Sequence, residues 1–286
     1  MWKQQIIHTK RGYFELFTKG TGEPLCITHH YSQFNETGDY FADSFTKTHQ
    51  VFLVNLKDAG NSTQAHQEDE LSMRETVNDL EAVREALKLS TWHYAGHSTG
   101  GMLGLLYAIH YPKSLQSLIV VGAAASNYTK TKNCIYNENH PQFQYMQDLI
   151  EQLKLPSLSK EERMHLSIER TKLSLYKQDN YDTYFAKPIY KTMATSRMNY
   201  FSKEYPAFDL HAELTRIITK TLIICGEHDV QCPVEYSIEM HKYIPNSVFV
   251  RFEHSNHYPF LEEEEKFLSV IQEFYELLSK EQVNNA

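Results

Sequence analysis

Two short apolar-rich runs open the chain, Ile6–Thr9 and Tyr13–Phe17, separated by Lys10-Arg11-Gly12, and they predict two strands joined by a turn. Leu25–Thr28 and Val51–Leu56 follow as continuous apolar runs rich in strand formers, the pattern of strands covered on both faces. The period then changes: Met73, Val77, Leu80, Val83 and Leu87 recur every three or four residues, predicting an amphipathic helix. A strand over Thr91–Ala95, a mostly buried helix over Met102–Ile109 that ends before Pro112, and a strand over Leu118–Gly122 come next. Alternation of strand, helix and strand predicts an α/β fold with a parallel sheet.

The rhythm breaks between Ser126 and Phe208, where polar, tyrosine-rich helical segments replace the strands; the stretch holds nine tyrosines. Strand patterning resumes at Thr221–Cys225 and Ser247–Phe252, and a helix over Leu261–Lys280 closes the chain. The expected division is therefore a core of residues 1–125 and 209–286 carrying a helical cap of residues 126–208. Glu262–Glu265 at the start of the last helix reads as a solvated, dipole-compensating helix start and not as a metal site.

Composition narrows the function classes. With 286 residues, 41% hydrophobic and 22% charged, the chain has material for a large core. The formal charge is −8 and no segment concentrates Lys and Arg, which argues against nucleic-acid binding. No apolar run reaches the roughly 18 residues of a membrane span, and the opening residues lack a signal-peptide core, so a cytoplasmic protein without membrane association is expected. Cys26, Cys134, Cys225 and Cys232 lie far apart without a C-x-x-C pair and read as reduced core thiols.

The chemistry is concentrated after the Thr91–Ala95 run, in Gly96-His97-Ser98-Thr99-Gly100. A serine hydroxyl needs a base to take its proton and donors to hold the developing oxyanion. On a sharp strand-to-helix turn, glycines two residues to either side make room for it. Alone, the string fits a small polar turn equally well. Two later strings change the balance: Gly226-Glu227-His228-Asp229 directly follows one strand, and Glu253-His254-Ser255-Asn256-His257 follows the last. Asp229 would fix the tautomer of His257, and His257 would take the Ser98 proton and return it to the leaving group. His254 competes with His257, and His228 and the pair His29-His30 raise the question of a metal, but no second cluster has ligand spacing. No metal and no cofactor are expected.

These strings together resemble the α/β-hydrolase fold superfamily from about Phe14 to the last helix. Gly96-His97-Ser98-Thr99-Gly100-Gly101, Gly226-x-x-Asp229-x-x-x-Pro233 and His257-x-x-x-x-Glu262 resemble its proline iminopeptidase-like and esterase-like branches. The resemblance implies an eight-stranded, mostly parallel sheet with an antiparallel second strand and a cap inserted after the sixth. It also favours His257 over His254, through the spacing to Glu262, and implies an oxyanion hole from the backbone amides of Tyr31 and Thr99.

The chain departs from the family's usual His-Gly, or His-Gly-Gly-Pro-Gly, by carrying His29-His30-Tyr31. Either the His30 side chain helps shape the site or that half of the hole is altered. Asn55–Ser62 keeps only Gly60 and Ser62 of a family loop and is assigned no chemistry. The cap carries 12 Lys plus Arg against 9 Asp plus Glu, and acids such as Glu138, Asp148, Glu151 and Glu204 are its candidates for holding an α-ammonium. Its tyrosines suit either an adaptable pocket or simple packing. The leading expectation is a serine hydrolase acting on a small ester or amide as a small-molecule substrate. A proline iminopeptidase-like aminopeptidase and a ligand-binding sensor with a slow triad are the alternatives, and oligomeric state is left unassigned.

Overall fold

The computed structural model describes residues 1–155 and 157–284, with side chains through Lys280. In chain order its strands are β1 (Lys3–Thr9), β2 (Gly12–Lys19), β3 (Glu23–Ile27), β4 (Ser32–Gln33), β5 (His49–Val54), β6 (Trp92–His97), β7 (Leu115–Val121), β8 (Thr192–Met193), β9 (Thr221–Gly226) and β10 (Ser247–Phe252). The helices are α1 (Tyr40–Asp43), α2 (Met73–Ala86), α3 (Thr99–His110), α4 (Phe143–Leu153), α5 (Lys160–Lys172), α6 (Tyr181–Tyr184), α7 (Thr195–Glu204), α8 (Val234–Tyr243), α9 (Pro259–Glu262) and α10 (Glu264–Asn284).

Eight strands form one sheet in the order β1-β2-β5-β3-β6-β7-β9-β10. β2 runs antiparallel to both its neighbours, and β5, β3, β6, β7, β9 and β10 are mutually parallel. Both faces are covered, which is why the central strands read as unbroken apolar runs. On β3, Cys26 packs toward α2 and α3 while Leu25 and Ile27 pack toward Phe41 of α1 and Phe267 and Ile271 of α10. Helix α2 begins at Ser72, whose hydroxyl accepts the Glu75 amide, and buries the expected stripe of Met73, Val77, Leu80 and Val83.

After β7, the sixth strand of the main sheet, the chain leaves the core, and its exit and return are pinched together. Ser126 and Asp209 form an antiparallel bridge, and the Leu210 amide donates to the Ala125 carbonyl at 2.8 Å. Within the intervening segment, α4 and α5 share a small apolar cluster of Ile135, Met146, Leu149 and Leu173, with Leu166 packed against it. α5 starts with a capping box in which Ser159 and Glu162 satisfy each other's amides. Before its return the segment contributes β8, which pairs with β4 of the core.

The closing helix differs from its expected form. It is broken at Glu263 into α9 and α10, and only Glu264 and Glu265 of the acidic run are exposed. The Glu262 carboxylate accepts the amides of Tyr176, Asn256 and Tyr258, and Glu263 accepts the His254 amide and the Ser255 hydroxyl. These two acids bind loop backbone, a role that a run of four identical residues does not reveal.

Candidate active site

The end of β6 turns into α3 at Ser98, which adopts φ 56° and ψ −125°, an unfavourable conformation for a residue with a side chain. The flanking glycines are required by space. A Cβ on Gly96 would lie 2.2 Å from the Gly100 carbonyl group, and one on Gly100 would lie 2.3 Å from the Thr28 oxygen. The Ser98 amide is anchored to the Val121 carbonyl at 2.9 Å, fixing the turn against the end of β7.

The loops after β9 and β10 bring Asp229 and His257 to the same end of the sheet. His257 Nδ1 lies 2.9 Å from Asp229 Oδ2 and 3.1 Å from Oδ1. Oδ1 also accepts the amides of Gln231 and Cys232 at 2.9 and 2.8 Å, so the carboxylate is locked in place before it meets the ring. The pair adjoins the turn: a Cβ on Gly122, the residue after the Ser98 anchor, would stand 3.0 Å from Asp229 Oδ2 and 3.3 Å from His257 Nδ1. The His257 backbone is held from both sides, its amide donating to the Ser174 carbonyl at 3.2 Å and its carbonyl accepting His97 Nε2 at 2.7 Å. Burial holds the His97 imidazole far below its usual pKa, so it serves as a neutral donor. Ser98, Asp229 and His257 are all buried, at 8%, 4% and 2% exposure.

The competing histidines go elsewhere. His254 is exposed near Tyr176, and His228 stacks on Tyr176 with ring centroids 4.5 Å apart. His29 and His30 diverge: the first bridges Ser32 Oγ and Thr99 Oγ1 at 2.9 and 3.0 Å, and the second turns into the seam with α7. Among the described residues no three His, Cys, Asp or Glu side chains converge as a metal-binding group.

The His29–Tyr31 loop lies against the start of α3, where the His30 amide donates to Thr99 Oγ1 at 3.3 Å. Among the described residues the Tyr31 amide has no acceptor, and the Thr99 amide, in the first turn of α3, has no intrahelical one. His30 is fully buried, its ring 5.7 Å from that of Phe201. Its Nδ1 accepts from Arg197 Nη2 at 3.2 Å, which places the proton on Nε2, a buried atom with no partner among the described residues.

Arg197 is the residue that sequence reasoning missed, and Glu262 is one whose loop-binding role it did not foresee. Arg197 on α7 is fully buried and donates to the His30 carbonyl, to the Lys57 carbonyl at 3.1 Å and to Thr76 Oγ1 at 2.6 Å. It thus ties the inserted segment to the His30 loop and to the Asn55–Ser62 loop. That second loop is structural: Asn55 and Gly60 enclose the Glu15 carboxylate, and Ser62 bonds both the Asn55 carbonyl and the Glu15 amide. No local pattern marks Arg197, because its partners lie 121 to 167 residues away. Glu262 did carry a signal, its fixed spacing from His257.

The family model described as alpha/beta hydrolase fold matches residues 20–264. An alpha/beta fold family hydrolase from Bacillus anthracis str. Sterne superimposes with a TM-score of 0.93 at 43% identity, covering 96% of this chain and 99% of that one. AB hydrolase superfamily protein YisY of Bacillus subtilis (strain 168) is 27% identical over 268 residues, 89% of this chain and 92% of that protein. A proline iminopeptidase of Lactobacillus helveticus is 26% identical over 240 residues, 79% of each chain.

Proposed function

The chain belongs to the α/β-hydrolase fold family, and from that premise we infer that it is a serine hydrolase cleaving a small ester or amide through an acyl-enzyme. The observation that carries this reading is Ser98 on its strained turn beside an Asp229–His257 pair whose contact is 2.9 Å. In the proposed cycle, Ser98 Oγ attacks the substrate carbonyl carbon while His257 Nε2 takes the hydroxyl proton. Asp229 keeps the other ring proton on Nδ1 and stabilises the imidazolium. The amides of Tyr31 and Thr99 receive the carbonyl oxygen as it becomes negative. Collapse expels the alcohol or amine with the proton from His257, and a water activated by the same imidazole releases the acid and restores Ser98. Residues 126–208 act as the cap over this site.

The iminopeptidase reading is the weaker one. Of the acids available to hold an α-ammonium, Glu138, Asp148 and Glu151 are exposed, and Glu204 is committed to the Met73 amide at the start of α2. The test is covalent: a fluorophosphonate should label the wild type and fail to label Ser98→Ala, which should also lose about 10⁴- to 10⁶-fold in ester turnover. A folded wild type that neither labels nor turns over short acyl esters would refute the assignment. A clear preference for a prolyl arylamide over p-nitrophenyl butyrate would reverse the order of the two substrate readings.

A further inference from the structure

Among the described residues Arg170 is a cation with no paired counter-charge. It is half-buried near the end of α5, and among the described residues no carboxylate pairs with it and no hydrogen-bond acceptor engages it. Its neighbour Lys172 behaves differently, pairing with Glu169 at 3.0 Å. A basic residue in the last turn of a helix complements the helix dipole, and that alone would account for either residue. Position separates the two.

Arg170 shares its helix face with Leu166 and Leu173, four residues before and three after, and these pack in the apolar cluster that Tyr136 joins. About one turn further on, Ser174 accepts the His257 amide through its carbonyl at 3.2 Å and Gln231 Nε2 through its hydroxyl at 2.9 Å. Gln231 in turn receives the Tyr136 hydroxyl at 3.0 Å. The end of α5 is thereby fastened to the loops carrying Asp229 and His257. The guanidinium charge acts on Tyr31, Tyr136 and Tyr258, in each opposing the upward push of burial on the phenol pKa. Tyr31 carries the proposed oxyanion amide, and the Tyr258 ring lies 5.4 Å from that of His257. Neither the Tyr31 nor the Tyr258 hydroxyl has a hydrogen-bond partner among the described residues.

We propose that Arg170, with the hydroxyls of Tyr31 and Tyr258, is a receptor for a carboxylate on the substrate, so that the enzyme acts on anionic esters or amides. This rests on the serine-hydrolase reading and deepens it. A guanidinium offers a planar pair of N–H donors to a carboxylate, and two phenols add neutral donors without adding charge. The same cation repels the free ammonium that an aminopeptidase must hold. The carboxylate can belong to the acyl part or to the leaving group, and two substrate pairs distinguish them.

The first pair is p-nitrophenyl hemiglutarate against p-nitrophenyl valerate, and the second is 4-butyryloxybenzoate against its methyl ester. The wild type should favour the anionic member of one pair by at least about tenfold in kcat/KM, chiefly through KM, and less so at high salt. Arg170→Gln should collapse that ratio and Arg170→Lys should keep part of it. A ratio taken within one variant is insensitive to how much active enzyme survives. Equal rates within both pairs for the wild type, or a preference that persists in Arg170→Gln, would overturn the proposal while leaving ester hydrolysis and Ser98 labelling intact. A second readout needs no turnover: calorimetric titration of glutarate and benzoate into Ser98→Ala should give binding that Ser98→Ala/Arg170→Gln lacks, and absence of binding to the single variant counts against the receptor.

Discussion

Replacing Arg197 by methionine tests how the inserted segment and the His29–Tyr31 loop depend on each other. The change preserves much of the side-chain volume and deletes every bond that the guanidinium makes. Three closely held buried acceptors lose their donor, the His30 carbonyl, His30 Nδ1 and the Lys57 carbonyl, while the Leu71 carbonyl, at the marginal distance of 3.5 Å, adds little. The Thr76 hydroxyl can rotate to another partner. At about 1–3 kcal/mol for each stranded acceptor, the gross penalty is about 3–9 kcal/mol. Relief from burying a guanidinium, whose pKa burial depresses to about 10, offsets part of it. A net loss of about 3–5 kcal/mol follows, which is the usual scale for breaking a buried charged network. With an unfolding entropy near 0.6 kcal/mol/K for a chain of this length, Tm should fall by about 5–8 K if unfolding is two-state. Because His30 is held through both its carbonyl and its ring, the Tyr31 amide should also drift, lowering kcat/KM for a short ester by about 10- to 100-fold. Differential scanning calorimetry and ester kinetics on the same preparation read both effects. A variant that melts within about 1 K of the wild type and retains its kcat/KM would refute this account of Arg197.

Gly122→Ala should reach the proposed Asp229–His257 catalytic pair from the opposite side. The residue sits at φ 52°, and its new Cβ would press on Asp229 Oδ2 and His257 Nδ1, so kcat should fall by about 10- to 100-fold with Ser98 itself untouched; unchanged kcat would mean that the pair tolerates the shift. Stability should also depend on pH through His49 and His93, which pack with ring centroids 5.4 Å apart beneath α10 and whose pKa values burial lowers to about 4. Their folded values lie below the ordinary 6.5, so the full stability is present above about pH 6.5 and is lost as pH falls toward 4, by on the order of 2–3 kcal/mol per site. Urea midpoints from pH 7 to 4.5 should therefore decline less steeply in His93→Asn than in the wild type, and equal slopes would refute the assignment.

The strands, the amphipathic helix over Met73–Leu87 and the order of Ser98, Asp229 and His257 were legible along the chain because each rests on local rules. An apolar run covered on both faces, a helical period and a glycine-relieved turn are written in adjacent residues. The four glutamates near the end misled because the same residue type can solvate a helix start or cap a loop, and only Glu264 and Glu265 do the former. Choosing His257 over His254 needed a learned spacing; in the folded chain the choice follows from which ring meets Asp229 at 2.9 Å.

What sequence alone determined is thus the fold class, and it named the candidate triad residues, since both follow from patterns within short windows and from the order of motifs. What only the tertiary structure decided is the set of contacts made across long separations. Arg197 finds its partners from 121 residues away or more, and Arg170 is set apart from Lys172 by pairing, since Lys172 meets Glu169 and Arg170 meets no carboxylate among the described residues. A charge count of residues 126–208 treats all the cations there alike. Burial and pairing make them different, because an ion's influence depends on the neighbours and solvent around it and not on its position in a list of residues.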